Sequence, residues 1–479
     1  TPCGGQGTCG KCRIKIIEGN IEPSLSCRIF FSESELKEGW RLACKTQLTK
    51  NISVEIPESS LFEKDVSILT DEKKDHSDCS GETFSKKIFF KLLLPTLENP
   101  VSDISNLQSS IGKFAADLEV YKQIPAFLRE NDFSGTAVIS SGKVLALERG
   151  ETTSANFAIS VDIGTTTVAV SLLDMNSRRV INSKGVLNPQ SKFGDDVITR
   201  IAFQNQSQEN LKLLQSSIIS GINLLIKELC SEQNISAKNI YAVSVAGNTV
   251  MESLFCGLPV KAIGEIPFIS PFSKSMIFKA QELGIHINSS ALVYIFPVIG
   301  AYVGGDIVSG MTAYDVHKMP GKVLFVDVGT NGEIVFSDNG RLYAGSAAAG
   351  PAFEGARIES GMRAGSGAIE KILIENGKLR YNVIRNKKPI GLCGSALIDV
   401  AAELLRAGVI DSTGRINSPE ECPQHLSCEI RNRIHVSEDG SHFDFLICDE
   451  KHGKKIYLRQ KDVRELQLAS GAIRAAINI

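Results

Sequence analysis

The sequence contains no cluster of lysine and arginine with interleaved aromatic residues, and no strong imbalance of charge. Its 479 residues carry a formal net charge of −2 at pH 7, with 22% charged and 43% hydrophobic residues. A near-neutral composition gives no electrostatic attraction to nucleic acid or to an anionic membrane. The length and composition are those of a globular protein with several domains. They favour proteins and small molecules as partners.

Long apolar runs are also missing. The most apolar stretch, residues 291–313, is interrupted by Pro297, Asp306 and several glycines. We expect buried strand and turn there, because a membrane-spanning helix needs about 20 consecutive apolar residues. No secretory signal is visible at the start of the sequence. These features predict a protein that does not act at a membrane.

A disulfide framework is absent as well, although the sequence contains 12 cysteines. Eight of them are scattered without the compact spacing of a disulfide-rich domain, at positions 27, 79, 230, 256, 393, 422, 428 and 448. Scattered thiols are typical of a reducing compartment, so we predict a cytoplasmic protein. A metal site formed by Cys422, Cys428 and Cys448 is a weaker interpretation than ordinary buried or surface thiols.

The other four cysteines form the most informative pattern. Cys3, Cys9 and Cys12 are separated by five and two residues in a glycine-rich segment, and Cys44 ends the sequence Arg-Leu-Ala-Cys. This pattern indicates a [2Fe–2S] cluster, because glycines let a loop wrap around the cluster with its amides pointing inward. A zinc site would usually pair two Cys-x2-Cys knuckles, and a dinucleotide-binding turn would follow a strand, so both alternatives fit less well. The pattern predicts transfer of single electrons.

The cysteine spacing resembles the adrenodoxin and plant-type ferredoxin families. This resemblance implies an N-terminal β-grasp ferredoxin domain over residues 1–57, here called the cluster domain. Residues 51–57 alternate in polarity and predict its closing strand. In those families strands and a helix precede the first cysteine, whereas only Thr1 and Pro2 precede it here, and no initiating methionine is present. We therefore expect the sequence to begin inside an N-terminally incomplete domain.

Two segments separate the cluster domain from the rest. Residues 58–85 are polar and charged, without periodicity, and predict a solvated linker that lets the cluster domain move. Residues 86–155 predict a small α/β domain, with a strand at 87–94, a turn at 95–103 and a helix at 104–115. This small α/β domain has no catalytic motif, and we interpret it as a spacer or docking module.

The remaining residues contain an internal near-repeat, in which an apolar strand ends in aspartate and a glycine-threonine turn leads to a second strand. The copies are Asp162-Ile-Gly164-Thr165-Thr166-Thr167 and Asp327-Val-Gly329-Thr330-Asn331-Gly332-Glu333. An apolar strand does not readily accommodate a carboxylate, so each aspartate is expected at an open edge that faces a ligand. The turn's amides and hydroxyls can bind phosphate oxygens, and the aspartate can hold magnesium through water.

The paired motifs resemble the two phosphate loops of the actin-like ATPase superfamily. The resemblance implies an α/β multidomain protein with two ribonuclease-H-like lobes, lobe 1 at residues 156–320 and lobe 2 at 321–479. ATP and Mg²⁺ would bind between the lobes, held by residues 162–167 and 327–333. Asp162, Asp327 and Glu333 would be catalytic, and Glu333 would orient the attacking water.

Further segments narrow the resemblance, namely residues 193–200, 245–251, 299–306 and 345–356. With the ferredoxin pattern they resemble the ATP-dependent reductive activators of corrinoid proteins, over nearly the whole sequence. This implies Asp306 and Glu354 as further nucleotide-binding residues. In the superfamily a glycine-rich turn late in lobe 2 grips the adenosine, and the sequence stops at Ile479 without one. We expect an ATPase domain that is incomplete at its C-terminus and binds ATP weakly.

The activity implied by the resemblance is ATP-driven electron transfer. The [2Fe–2S] cluster would pass an electron to the Co(II) of a corrinoid protein, giving Co(I), while ATP favours one of two conformations. The implied partners are this corrinoid protein and an upstream electron donor, and a homodimer is left open. A ferredoxin-fused kinase of the acetate or sugar kinase type is an alternative, as is a non-catalytic nucleotide-binding redox scaffold. ATP turnover stimulated by a small molecule alone would favour the kinase.

Overall fold

The computed structural model describes residues 7, 10, 12–48, 51–57, 83–355, 358–362, 364–449 and 455–479. Most of the predicted linker at 58–85 lies outside these residues, as do Cys3 and Cys9. Within the described part the chain is a mixed α/β protein with several separate sheets, in agreement with the predicted fold class.

The cluster domain contains a small sheet and two short helices. Its elements are β1 (Arg13–Glu18), α1 (Leu25–Phe30), α2 (Glu33–Lys37), β2 (Trp40–Leu42) and β3 (Ser53–Glu55). Strand β1 lies between β2 and β3 and is antiparallel to both, so the predicted closing strand is present as β3. Helix α2 begins at a capping box in which Ser32 and Glu35 satisfy each other's backbone amides.

The small α/β domain has a four-stranded sheet covered by two helices. Its elements are β4 (Lys86–Lys91), α3 (Asp103–Ile111), β5 (Ala115–Ala116), α4 (Leu118–Glu130), β6 (Ser134–Ser140) and β7 (Lys143–Glu148). The strand order is β4–β6–β7–β5. The predicted strand and helix correspond to β4 and α3. Helix α3 begins at the Ser102 cap and ends at Gly112, whose φ of +85° favours glycine.

Lobe 1 is built on a six-stranded sheet. Its elements are β8 (Phe157–Ile163), β9 (Thr167–Asp174), β10 (Arg179–Leu187), α5 (Val197–Gln204), α6 (Gln208–Glu232), β11 (Ile240–Gly247), α7 (Thr249–Phe255), β12 (Met276–Lys279) and β13 (Leu292–Ile295). The strand order is β10–β9–β8–β11–β13–β12. Strand β11 runs parallel to β8 and to β13. The residues that follow β8 and β11 therefore meet at one edge of the sheet.

Of the described helices, α6 has the length and apolar composition that would allow it to cross a membrane. Its buried residues recur at helical spacing and belong to the core of lobe 1; they include Leu214, Ile218, Ile222, Leu225, Ile226 and Leu229. In this fold α6 is the long core helix that packs against β9 and β10.

The expectation of strand and turn for residues 291–313 is correct only for the first half. Strand β13 is followed by a short bridge between Gly300 and Val303, and then by helix α8 (Gly305–Ala313). The chain packs closely here because it has glycines: a Cβ on Gly304 would lie 2.4 Å from the Cα of Asn248. Helix α8 connects lobe 1 to lobe 2.

Lobe 2 contains three three-stranded sheets within the described residues. Its elements are β14 (Lys322–Val328), β15 (Gly332–Asp338), β16 (Arg341–Ala347), β17 (Ala368–Glu375), β18 (Lys378–Val383), β19 (Gly391–Leu392), α9 (Gly394–Arg406), α10 (Cys428–Arg431), β20 (Ile434–Val436), β21 (Phe443–Cys448), β22 (Ile456–Leu458) and α11 (Gln460–Asn478). The sheet β14–β15–β16 repeats the antiparallel meander that opens lobe 1. Helix α9 buries Leu397, Val400 and Leu404.

A buried polar contact joins the small α/β domain to lobe 1. The Lys87 side chain is 0% exposed, and its Nζ lies 2.7 Å from Oε2 of Glu148. The Tyr241 hydroxyl of lobe 1 donates a hydrogen bond to Oε1 of Glu148 at 2.8 Å. Glu148 therefore bonds both to Lys87 of its own domain and to Tyr241 of lobe 1. The bond to Tyr241 helps to hold the small α/β domain against lobe 1.

Candidate functional site

Two β-hairpins, one from each lobe, face each other across a cleft. In lobe 1 the β8–β9 hairpin pairs Asp162 with Ala169, and in lobe 2 the β14–β15 hairpin pairs Asp327 with Glu333. Both hairpins form as the near-repeat predicts, because each apolar strand ends at a glycine-containing turn. The second hairpin carries two carboxylates at the register position where the first carries one.

The cleft between the hairpins has a volume of about 560 Å³. Nearly all of the predicted ATPase residues line it: Asp162, Gly164, Thr165, Thr166, Thr167, Asp306, Asp327, Gly329, Thr330, Asn331, Glu333 and Glu354. Gly332 does not. It begins β15 next to α11, where a Cβ would lie 2.6 Å from Cγ1 of Ile473, so its lack of a side chain serves packing.

Four of the five carboxyl groups that line the cleft have raised pKa values. Asp162 and Asp327 have solvent-accessible surface in the open cleft, but protein atoms surround them closely enough to reduce their hydration. This burial and the Asp327 carboxylate raise the pKa of Asp162 to about 6, and burial also raises the pKa of Asp327. Burial together with neighbouring carboxylates raises the pKa of Asp306 and of Glu333 to about 7. A cation would relieve this repulsion.

The threonines of the two turns are hydrogen-bonded across the site. Thr165 is 8% exposed, and its Oγ1 accepts a hydrogen bond from Nδ2 of Asn248 at 2.9 Å. Thr166 Oγ1 donates to Oε2 of Glu354 at 2.5 Å, and Thr330 Oγ1 donates to Oε1 of the same carboxylate. Glu354 therefore contacts one threonine of each lobe.

Buried side chains hold the lobe 1 turn from behind. The guanidinium of Arg200, which is 0% exposed, donates to the carbonyl oxygen of Thr165 at 2.5 Å and to that of Gly194 at 2.9 Å. Nδ2 of Asn188 donates to the carbonyl oxygen of Gly164 at 2.8 Å. Because both turn carbonyls are bonded on the protein side, the turn has a defined conformation that can present its hydroxyls to a ligand.

Arg200 and Asn248 lie in the segments 193–200 and 245–251 that carry the family resemblance, but no role in the site was predicted for either residue. Residues 393–395 were not predicted to belong to the site. Residues 393–395, which are the N-cap and the first two residues of α9, line the cleft from lobe 2. A Cβ on Gly394 would lie 1.5 Å from the carbonyl oxygen of Phe353, so only glycine fits there. The start of α9 thus brings a glycine of lobe 2 to the cleft.

Two of the predicted cluster cysteines lie in the described part of the cluster domain. The amide of Ala43 donates to the carbonyl oxygen of Cys12 at 2.8 Å, which brings Cys12 beside the residue before Cys44. Both cysteine side chains pack, half-buried, against the same small core. Gly10 has a φ of +65°, and a Cβ there would lie 2.6 Å from the Phe30 ring, so this loop position requires glycine.

Comparison with known proteins matches the chain along its length. Residues 1–49 match the 2Fe-2S iron-sulfur cluster binding domain, 74–154 the RACo linker region, 157–319 the RACo middle region and 321–479 the C-terminal domain of RACo, the ASKHA domain. The corrinoid activation enzyme RamQ of Eubacterium limosum is 31% identical over 477 residues, which cover 98% of this chain and 76% of that protein. The chain belongs to the RACo family of corrinoid activation enzymes.

Two further comparisons agree with the RACo family. The solved structure of a reductive activator for corrinoid,iron-sulfur protein matches with a TM-score of 0.74 and 33% identity, covering 100% of this chain and 78% of that chain. The Co(II) methylated amine-specific corrinoid protein reductase of Methanosarcina barkeri is 23% identical over 354 residues, or 67% of this chain and 58% of that protein. The match to the RACo linker region contains the small α/β domain, and the match to the RACo middle region corresponds to lobe 1. The expected ferredoxin and actin-like ATPase domains are confirmed.

Proposed function

We propose that this protein uses ATP to drive the reduction of a corrinoid protein from Co(II) to Co(I), with the electron coming from a [2Fe–2S] cluster. The observation that carries the proposal is the combination, in one chain, of an iron–sulfur domain with a cleft formed by two Asp-x-Gly-Thr hairpins. The names of the two curated relatives support a corrinoid protein as the substrate.

The cleft suits a hydrated magnesium ion. Its carboxyl groups have raised pKa values, so a cation would stabilise their ionised forms. Within the described residues, no three acidic, histidine or cysteine side chains are placed to hold a metal ion directly. Mg²⁺ keeps several waters and is usually held by one or two carboxylates and by substrate phosphates. We therefore assign Asp162 and Asp327, one from each hairpin, as the residues that would hold Mg²⁺ and so neutralise phosphate charge.

The turns would bind the phosphates of ATP. Gly164 and Gly329 allow the backbone to approach closely, and the threonine hydroxyls and turn amides are hydrogen-bond donors for phosphate oxygens. Glu333 is 7% exposed and lies opposite Asp327 in the hairpin. Ser346 Oγ donates to its Oε1 at 3.4 Å. This bond orients the carboxylate, which would accept a hydrogen bond from the attacking water.

Cys12 and Cys44, with Cys3 and Cys9, would hold the cluster. A bound [2Fe–2S] cluster exchanges one electron at a time, which is what the reduction of Co(II) to Co(I) requires. The residues present fit this group, because the hydrogen bond from Ala43 to Cys12 brings the two described cysteine segments together. Gly7 and Gly10 both have positive φ, as a loop that turns around a cluster would need.

ATP can bias electron transfer only by favouring one arrangement of the protein over another. Helix α8 is placed to transmit such a change, because it packs against both lobes. Its Ile307 and Met311 pack with Val335 of lobe 2, while Gly304 at its start lies on Asn248 of lobe 1. Since the small α/β domain is joined to lobe 1, closure of the cleft would move lobe 2 relative to both.

We place the reaction in the cytoplasm, with a corrinoid protein and an upstream electron donor as partners. The buried cysteines of the described residues are free thiols, which supports a reducing compartment; they are Cys27, Cys230, Cys393, Cys422 and Cys448.

The test is to mix the reduced protein with a Co(II) corrinoid protein and to follow the visible spectrum with and without MgATP. We expect Co(I) to form only with MgATP. The Asp162→Asn variant should lose this activity, whereas Asp174→Asn, at the far end of β9, should keep it. Absence of ATP-dependent Co(I) formation in the wild type would refute the proposal. Full activity of Asp162→Asn would refute the role of Asp162 alone.

A further inference from the structure

Glu354 bridges the two hairpin turns. Its Oε2 accepts a hydrogen bond from Thr166 of lobe 1 at 2.5 Å, and its Oε1 accepts one from Thr330 of lobe 2. Both oxygens of one carboxylate are therefore engaged by hydroxyls of the two predicted phosphate loops. The Thr166 bond crosses the cleft between residues 188 positions apart in the sequence.

The backbone of Glu354 is anchored in lobe 2. Glu354 ends a short 3-10 helix, Pro351–Glu354, which packs against α9 and α11. Ala352 is 2% exposed and belongs to a core cluster with Ala469 and Ile473 of α11. The carbonyl oxygen of Phe353 lies against Gly394, where no side chain would fit. Glu354 is thus presented from closely packed surroundings and reaches across to lobe 1.

A threonine hydroxyl has a single hydrogen to donate. While Thr166 and Thr330 donate to Glu354, neither can donate to a phosphate oxygen, and the carboxylate would repel a phosphate placed beside it. We propose that Glu354 occupies the phosphate-binding hydroxyls and that the phosphates of a nucleotide must displace it, a role that rests on the proposed binding of ATP in this cleft. Glu354 then acts as a positioning residue that opposes nucleotide binding, and not as a nucleotide ligand.

Displacement changes how the lobes are connected. The Thr330 bond lies within lobe 2, but the Thr166 bond links lobe 2 to lobe 1. A phosphate that takes both hydroxyls replaces this protein contact with a contact through the nucleotide. Because the carboxylate and the phosphates differ in size and attachment, the two contacts favour different spacings of the lobes. The exchange gives ATP a direct means of biasing lobe position.

Calorimetric titration of the full chain with MgATP tests this role. The variants are Glu354→Ala and Glu354→Gln, with Glu375→Gln on the exposed end of β17 as the control. In the wild type, MgATP must break the hydrogen bonds from Thr166 and Thr330 to the charged Glu354 before its phosphates can bind. Glu354→Ala removes these bonds in advance, so its Kd for MgATP should be lower by roughly tenfold. The effect should be smaller in Glu354→Gln, because the carboxamide oxygen still accepts one hydroxyl. In steady-state ATP hydrolysis KM should fall while kcat changes little, and the control should match the wild type.

An equal or higher Kd in both variants would overturn the proposal. Should Glu354→Ala fail to fold by circular dichroism, the similarly shaped Glu354→Gln decides the question. If the wild type binds no MgATP, the proposed ATP site itself is wrong. If the wild type binds MgATP and the variants bind it equally well, only the role of Glu354 is refuted.

Discussion

The buried carboxyl of Glu252 makes the stability of lobe 1 depend on pH, and one substitution should remove this dependence. Glu252 lies on α7, is 0% exposed, and neither of its oxygens has a hydrogen-bond partner of ordinary geometry. The nearest donors are the amides of Gly305 and Gly247, and the titratable neighbours are Asp306 and Cys256. Burial, and to a lesser extent Asp306, raises the pKa of Glu252 to about 10. Glu252 is therefore neutral in the folded protein at pH 7.

The folded protein and the unfolded chain hold the Glu252 proton over different pH ranges. The ordinary pKa of a glutamate is 4.5, and below this pH both the folded and the unfolded state hold the proton. Between this value and about 10 the unfolded chain releases the proton and the folded protein keeps it, so folding becomes less favourable as the pH rises. The cost is at most about 1.4 kcal/mol per pH unit, or up to about 4 kcal/mol at pH 7.5.

The Glu252→Gln variant keeps the shape of the side chain and has no proton to lose. We expect its free energy of unfolding to exceed that of the wild type at pH 7.5 by up to about 4 kcal/mol, and the difference to vanish near pH 4.5. Thermal unfolding followed by circular dichroism from pH 5 to pH 8.5 measures this difference. Glu209→Gln, which changes an exposed residue at the start of α6, is the control. A difference that is independent of pH, or a variant less stable than the wild type at pH 8, would refute the reasoning.

Two further predictions concern the cluster and the small α/β domain. Cys44→Ser should lose the visible absorbance of the cluster and ATP-dependent Co(I) formation, while it binds MgATP normally. Visible spectra and calorimetry measure these properties, with Cys428→Ser as the control. Undiminished cluster absorbance in Cys44→Ser would contradict the prediction. Lys87→Met should destabilise the protein by about 3 kcal/mol, because it leaves Glu148 buried without its ion pair. Thermal unfolding against the exposed Lys91→Met measures this loss, and equal stability of the two variants would count against a structural role for the pair.

The features that could be predicted from sequence are local ones. Each hairpin is specified within about a dozen consecutive residues by an apolar strand, an aspartate and a glycine turn, and both hairpins form as expected. Arg200 and Asn248 could not be placed in this way, because tertiary packing brings them to the lobe 1 turn from distant segments. Glu252 gives no sequence signal either. All residues of α7 are buried, so the helix lacks the polar face that would have distinguished an exposed glutamate from a buried one.

The position of Asp306 connects charge in the cleft to movement of the lobes. Asp306 stands in the first turn of α8, and its Oδ1 accepts a hydrogen bond from the amide of Ile307 at 2.8 Å. A cation or phosphate entering the cleft changes the charge that faces Asp306, and α8 is packed against both lobes, so any shift of the helix is transmitted to each. Tyr241 of lobe 1 donates a hydrogen bond to Glu148 of the small α/β domain, and the cluster domain precedes that domain in the chain. A change in the cleft can therefore be transmitted through one helix to both lobes, and from lobe 1 to the small α/β domain that follows the cluster domain in the chain.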